Sequence, residues 1–168
     1  MIAPPHNRRS DDPGDPAAVA LTHRALLRQQ AVEAARAKYE GQALAYGTAD
    51  CARLAAFVLA RRGLKPGLSK FGAYSSVDMA RRRLVEHKVL DKDGNATLPA
   101  WLDSIDGLKR TPFAYAHLGD IIAMPSGIDW APALGVHLNG DKYLGFSAEG
   151  VCCVLARNVL PEITWALA

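Results

Sequence analysis

The sequence predicts an α+β domain in which N-terminal helices pack on a C-terminal antiparallel sheet of about five strands. Apolar residues recur at helical spacing in the first half of the 168-residue chain. The last third consists of short apolar runs, rich in strand-forming residues and separated by Gly, Pro and Asn-Gly. Helices followed by strands in separate blocks are typical of the α+β class.

The composition is that of one globular domain. Apolar residues make up 49% of the chain and charged residues 22%, which is enough apolar content for a core. The net charge is +3, and the one dense basic run, residues 81–83, is expected to form a solvated helix face. We therefore expect no nucleic-acid binding.

No apolar run is long enough to span a bilayer, and residues 1–16 lack the apolar centre of a secretory signal.

Residues 1–16 are predicted to form an extended, proline-rich arm that precedes a single domain at residues 17–168. A segment of this composition cannot bury enough apolar surface to fold alone. An ordered arm would therefore need a partner or the surface of the domain to hold it.

The helices are predicted from apolar spacing and end signals. The first spans residues 17–40, with a core stripe that includes Leu21, Ala25, Val32, Ala35 and Tyr39. The second spans residues 50–62, where Thr48 or Asp50 caps the start and Gly63 the end.

Two more helices and five strands complete the predicted order. A third helix begins after Ser75, whose spacing to Asp78 resembles a capping box, and Pro99 can begin a short fourth helix. Asn139-Gly140 is a strong hairpin signal. The predicted strands lie at residues 118–124, 133–138, 142–147, 150–156 and 162–168.

Cys51 is the candidate nucleophile because it lies in the first turn of the second helix. A thiol there faces the positive end of the helix dipole and free main-chain N–H groups, which lower its pKa and can hold an oxyanion. The alternative is a small core residue, since Cys51 shares an apolar helix face with Leu54 and Val58 and free cysteines are often buried. Position alone leaves both roles open.

Two short motifs resemble the NlpC-type cell-wall cysteine peptidases, a papain-like family. In that family an aromatic residue, a glycine-containing stretch and Asp-Cys open a helix, as do Tyr46, Gly47, Asp50 and Cys51 here. A Gly-Asp turn into a strand follows in both, at residues 119–120 of this chain.

The resemblance covers roughly residues 43–155 and implies a papain-like fold. It also implies that Cys51 is the nucleophile and that Asp50 stands at the head of its helix. No zinc or calcium spacing is present in the sequence, so we expect no metal and no cofactor.

The chain departs from the family at the general base. The place of the family histidine, before a Val-Gly-Ile strand motif, is taken by Ala133. His137 shares the strand face of Ala133, but four residues span roughly 13 Å along a strand. A base must come within about 3 Å of its proton, so His137 is a doubtful base, with His117 as the other candidate. The family's third polar residue would fall near Gly145.

The departing pattern is similar to a group of short bacteriophage tail-associated relatives that keep the Asp-Cys helix and lack the histidine. They end in a strand with a tryptophan, as does this chain with Trp165. The resemblance implies a structural component of a phage tail tip or tail assembly, made in the host cytoplasm, located in the virion and without activity. Its partners would be other tail proteins, contacted partly by the arm at residues 1–16.

The alternative is an active peptidoglycan cysteine peptidase or amidase. In that case Cys51 attacks an amide bond and His137 or His117 acts as the base.

Overall fold

A computed structural model describes residues 16–168. The predicted arm lies outside these residues except for Pro16, which begins the first helix. The helices are α1 (Pro16–Tyr39), α2 (Cys51–Arg61), α3 (Val77–Glu86) and α4 (Leu98–Asp103), with 3₁₀ turns at Leu68–Phe71 and Phe113–Tyr115. The strands are β1 (Leu108–Arg110), β2 (Ile121–Met124), β3 (Ala133–His137), β4 (Lys142–Phe146), β5 (Cys152–Ala156) and β6 (Ile163–Leu167).

The strands form one antiparallel sheet in the order β1-β6-β2-β3-β4-β5. The predicted α+β class is therefore confirmed. The five predicted strands are present, and β1 is an additional short strand that pairs with β6 at the edge of the sheet. β3 and β4 form the hairpin predicted from Asn139-Gly140, and Gly140 has a φ of +68°, which glycine adopts readily.

α2 is the central helix of the core. Four residues at the predicted spacing, Leu54, Ala55, Val58 and Leu59, are at most 1% exposed. They pack α2 against α1 on one side and β3 on the other. Burying each of the larger aliphatic side chains contributes about 1.5–3 kcal/mol. This packing fixes the axis of α2 and with it the position of Cys51.

Only the C-terminal half of α1 packs on this core. Val32, Ala35 and Tyr39 are buried as predicted, whereas Leu21 is 66% exposed and Ala25 is exposed as well. The expected core stripe is therefore wrong for its first two members. Helical spacing identifies the apolar face of a helix, but it does not show how far the domain extends along that face.

Candidate functional site

Asp50 begins α2 and places Cys51 as its first helical residue. The Asp50 backbone is extended, and its Oδ1 accepts a hydrogen bond from the Arg53 N–H at 2.8 Å. Its Oδ2 accepts hydrogen bonds from the Gly47 N–H at 2.6 Å and from the Tyr74 hydroxyl at 2.8 Å. Asp50 is 3% exposed. Both oxygens are therefore used to cap the helix and to hold two neighbouring segments.

Gly47 lets the segment before α2 approach Tyr74. Its φ is +84°, and a Cβ at this position would collide with the Tyr74 carbonyl oxygen. Glycine is thus required both by the backbone conformation and by the space. Burial, together with the nearby Asp50 carboxylate, raises the pKa of Tyr74, so its hydroxyl keeps the proton that it donates to Asp50.

A cavity of about 240 Å³ opens beside the head of α2. Cys51 lies in its wall with residues from α3, α4, β3, β4 and the loop before β3. Most lining side chains are apolar or aromatic; six of them are Phe71, Leu84, Leu98, Trp130, Tyr143 and Phe146. The two charged lining residues are Asp50 and Arg83.

The Cys51 thiol is neutral at physiological pH. The residue as a whole is partly exposed, but protein atoms surround its sulfur, and this burial raises the pKa of the thiol to about 11. Main-chain N–H groups of Leu134, Ala52 and Cys51 itself act in the opposite direction and are outweighed. The nearby Asp50 carboxylate adds to the rise. A thiol in this state is a poor nucleophile, since the thiolate is the reactive form.

The structure does not bring His137 to Cys51. The His137 N–H donates to the Asp120 carbonyl oxygen at 2.8 Å, and the Asp120 carboxylate pairs with Arg62 at 3.1 Å. Arg62 caps the C-terminal end of α2, whereas Cys51 begins it. At about 1.5 Å per residue the two ends of α2 lie roughly 16 Å apart. His137 is thus near the wrong end of the helix to serve as a base.

His137 instead packs in a corner of the sheet. Its ring meets Phe113 edge to face, with centroids 5.3 Å apart, and its Nδ1 is buried without a hydrogen-bond partner among the described residues. Burial lowers the pKa of His137, and the positive charge of Arg157 lowers it further, against the opposing effect of Asp120. The imidazole is therefore held neutral.

The other histidines within residues 16–168 do not supply a base either. His117 has a 66% exposed side chain before β2, and His23 is exposed on α1. His87 ends α3 and packs against Phe71, with ring centroids 5.1 Å apart. His6 lies outside the described residues. Within residues 16–168, no histidine lines the Cys51 cavity.

The Gly-Asp motif has a structural role at the far end of α2. Asp120 is fully buried, and its Oδ1 accepts hydrogen bonds from Arg28 of α1 at 2.8 Å and from Arg62 at 3.1 Å. Its Oδ2 accepts one from the His117 N–H at 2.8 Å. Asp120 thus ties α1, α2 and the start of β2 together.

Ala133 lies where the resemblance places the family base, in the wall of the Cys51 cavity. The next residue, Leu134, turns its main-chain N–H towards the Cys51 sulfur. The side chain that this position contributes to the lining is a methyl group, which cannot act as a base. The family's third polar residue would fall near Gly145, which has no side chain to orient an imidazole and packs against the Tyr143 ring.

Sequence reasoning missed the cavity itself. Tyr74, Trp130 and Tyr143 come from three separate segments and carry no spacing that connects them with Cys51. The Tyr74–Asp50 hydrogen bond likewise joins residues 24 positions apart without a motif. These contacts depend on tertiary packing that a single sequence does not encode in a readable pattern.

No metal-binding group and no membrane-spanning helix is found in residues 16–168. No cluster of three or more His, Cys, Asp and Glu side chains there could hold a metal ion. None of the helices there has both the length and the apolar character needed to cross a membrane. Cys51, Cys152 and Cys153 are all free thiols.

Comparison with known proteins identifies a family. A family model described as a domain of unknown function (DUF6950) matches residues 23–162. The chain belongs to the DUF6950 family. The matched DUF6950 range contains α2, the Cys51 cavity and the Asp120 cluster. No curated protein and no solved structure matches the chain.

Proposed function

We propose that this DUF6950 chain is a structural component of a bacteriophage tail tip or tail assembly, built on a degenerate, papain-like fold of the NlpC type. One observation supports the loss of catalysis above all others. Within residues 16–168 the cavity around Cys51 contains no imidazole, and Ala133 stands at the place of the family base. A methyl group cannot accept the thiol proton.

The state of the thiol supports the same proposal. With a pKa of about 11, Cys51 needs a base to become a nucleophile at neutral pH. Asp50 cannot take that role without giving up the cap of α2, since its oxygens accept three hydrogen bonds from the protein.

The surface of α1 supports a role in assembly. Its first half follows directly on the arm and carries Val19 and Leu26, seven residues apart on one helix face and each at least 49% exposed. Exposed apolar residues that lie close together are typical of protein–protein contact sites. We propose that this half of α1 and the arm at residues 1–16 face neighbouring tail proteins in the virion.

A second candidate is an active cysteine hydrolase that acts on amide bonds of peptidoglycan. The observation that favours it is the position of Cys51 at the head of α2, where main-chain N–H groups of Leu134, Ala52 and Cys51 act to lower the pKa of the thiol. Such groups can stabilise a tetrahedral oxyanion. This candidate needs a base that the described residues do not place in the cavity.

A hydrolysis assay separates the two candidates. Purified chain and the Cys51→Ala variant are incubated with peptidoglycan sacculi, and released fragments are separated by chromatography. The structural proposal expects no release from either protein. Fragments that appear with the natural chain and disappear with Cys51→Ala would establish the hydrolase and overturn the loss of catalysis.

The tail role is tested on the phage that encodes the chain. Mass spectrometry of purified virions, separated into heads and tails, should find the protein in the tail fraction. Deletion of its gene should give defective tails, and complementation with Cys51→Ala should restore them fully. Absence of the protein from purified tails, or normal tails after deletion, would overturn the tail assignment.

A further inference from the structure

The Cys51 cavity is large enough to hold a small molecule. An engineered apolar cavity of about 150 Å³ stays dry and binds benzene, which has six non-hydrogen atoms. The cavity here measures about 240 Å³. In proportion, it accommodates roughly ten non-hydrogen atoms, the size of a fused two-ring aromatic molecule.

The walls of the cavity are suited to a flat ring. Aromatic side chains reach it from four separate segments, with Phe71 from a 3₁₀ turn, Tyr74 after it, Trp130 from the loop before β3 and Tyr143 from β4. Aromatic rings prefer edge-to-face and offset-stacked partners, which contribute about 0.5–1.5 kcal/mol beyond their buried area. A planar aromatic ligand can meet several of these rings at once.

The Tyr143 ring packs against the sheet at two glycines. The Tyr143 ring lies across Gly135 and Gly145, and a Cβ at either glycine would press into it. The missing side chains let the ring lie against the strands.

The cavity offers a ligand no free charge. Asp50 accepts three hydrogen bonds from the protein. The Arg83 guanidinium donates to the Ala73 carbonyl at 3.2 Å and pairs with Glu86 at 2.9 Å. These are the two charged residues in the lining. A charged ligand would therefore lose its hydration and would have to compete with these existing partners.

We propose that the cavity of Cys51, Trp130 and Tyr143 is a binding site for a small, uncharged aromatic molecule of about the size of indole. This inference goes beyond the proposed function and does not depend on the tail assignment. Lack of binding would overturn the site and leave the virion and hydrolysis tests as they stand.

Binding is measured by isothermal titration calorimetry on the full chain, with indole as the probe. We expect saturable binding of one indole per chain. Tryptamine and indole-3-acetate carry the same ring with a positive and a negative charge, and we expect each to bind at least tenfold more weakly. No saturable binding of indole, or equal binding of either charged compound, would overturn the proposal.

Variants of small residues locate the site. Ala80 of α3 lines the cavity, so Ala80→Phe should fill it and weaken indole binding at least tenfold. Ala37→Phe is the matched control, because Ala37 is exposed on α1 and outside the lining. If Ala80→Phe does not fold, Ala131→Leu fills the cavity from the opposite loop. Unchanged binding in the folded cavity variant would place the indole elsewhere and overturn the site.

Protection of Cys51 gives an independent readout. Methyl methanethiosulfonate is small and uncharged, and peptide mass spectrometry reports its reaction with each cysteine separately. Saturating indole should slow modification of Cys51 at least fivefold and leave Cys153, which does not line the cavity, unchanged. Equal rates at Cys51 with and without indole would contradict occupation of the cavity.

Discussion

The pH dependence of Cys51 alkylation tests the central claim about the site. The pKa of the thiol is raised from its ordinary value of 9.0 to about 11 by burial. At pH 7 the thiolate fraction is then about 1 in 10,000, compared with about 1 in 100 for an unperturbed thiol, because each pH unit changes the fraction tenfold. Since only the thiolate reacts, Cys51 should be alkylated about 100-fold more slowly than in the unfolded chain.

The assay follows iodoacetamide incorporation at Cys51 by peptide mass spectrometry between pH 6.5 and 10. The unfolded chain in denaturant is the reference. Restricted access lowers the rate at every pH equally, whereas a raised pKa changes the shape of the profile. We expect the logarithm of the Cys51 rate to rise with unit slope throughout this range, while the unfolded reference levels off near pH 9.

A plateau below pH 8, or a rate at pH 7 above that of the unfolded reference, would refute the neutral thiol.

The variant Ala133→His provides the complementary perturbation. It introduces an imidazole into the wall of the cavity that contains Cys51. We expect its alkylation rate at pH 7 to rise at least tenfold, because a protonated imidazole near the sulfur stabilises the thiolate. An unchanged profile would show that residue 133 does not face the thiol.

Three further predictions concern stability, measured by urea unfolding. Asp120→Ala should lower the free energy of unfolding by about 3–5 kcal/mol because it leaves the buried Arg62 guanidinium without its carboxylate. Glu40→Ala, which removes an exposed ion pair, should cost less than about 1 kcal/mol. Equal losses would contradict the assigned burial. Gly47→Ala should destabilise clearly more than Gly41→Ala. Both glycines have φ near +85°, but only position 47 meets a backbone oxygen there, so similar costs would show that the collision is relieved. Because the pKa of His137 is lower in the folded chain than in the unfolded chain, the unfolded chain binds a proton there at a higher pH. Stability should therefore fall as the pH drops below about 6.5, and a His137→Gln variant with the same pH dependence would rule this out.

Much of the architecture could be predicted because it follows from local signals. Leu54 and Val58 show the helical spacing that buries α2, and Asn139-Gly140 sets the β3–β4 hairpin. The predicted cap of α3, Ser75, is wrong by one residue. Ser76, not Ser75, accepts the hydrogen bond from the Met79 N–H. Adjacent serines have the same capping chemistry, so the sequence does not distinguish them.

Less of the candidate site could be predicted, since it depends on contacts between distant segments. The position of Cys51 at the start of a helix could be predicted from the apolar residues that follow it at helical spacing. Strand spacing also indicated that His137 lies too far along β3 to act as the base, but its place near the Arg62 end of α2 could not be predicted. Likewise, the pairing of Asp120 with Arg62 joins residues 58 positions apart, and no local pattern connects them.

The two buried carboxylates have a consequence for how sequences of this kind are interpreted. Asp50 holds one end of α2 and Asp120 the other, so each acidic residue is needed for the scaffold whether or not a reaction takes place. Neither carboxylate needs a catalytic partner of Cys51 in order to hold the helix. An Asp-Cys pair and a Gly-Asp turn can therefore persist through structural demand alone. Neither motif therefore shows by itself that a reaction takes place.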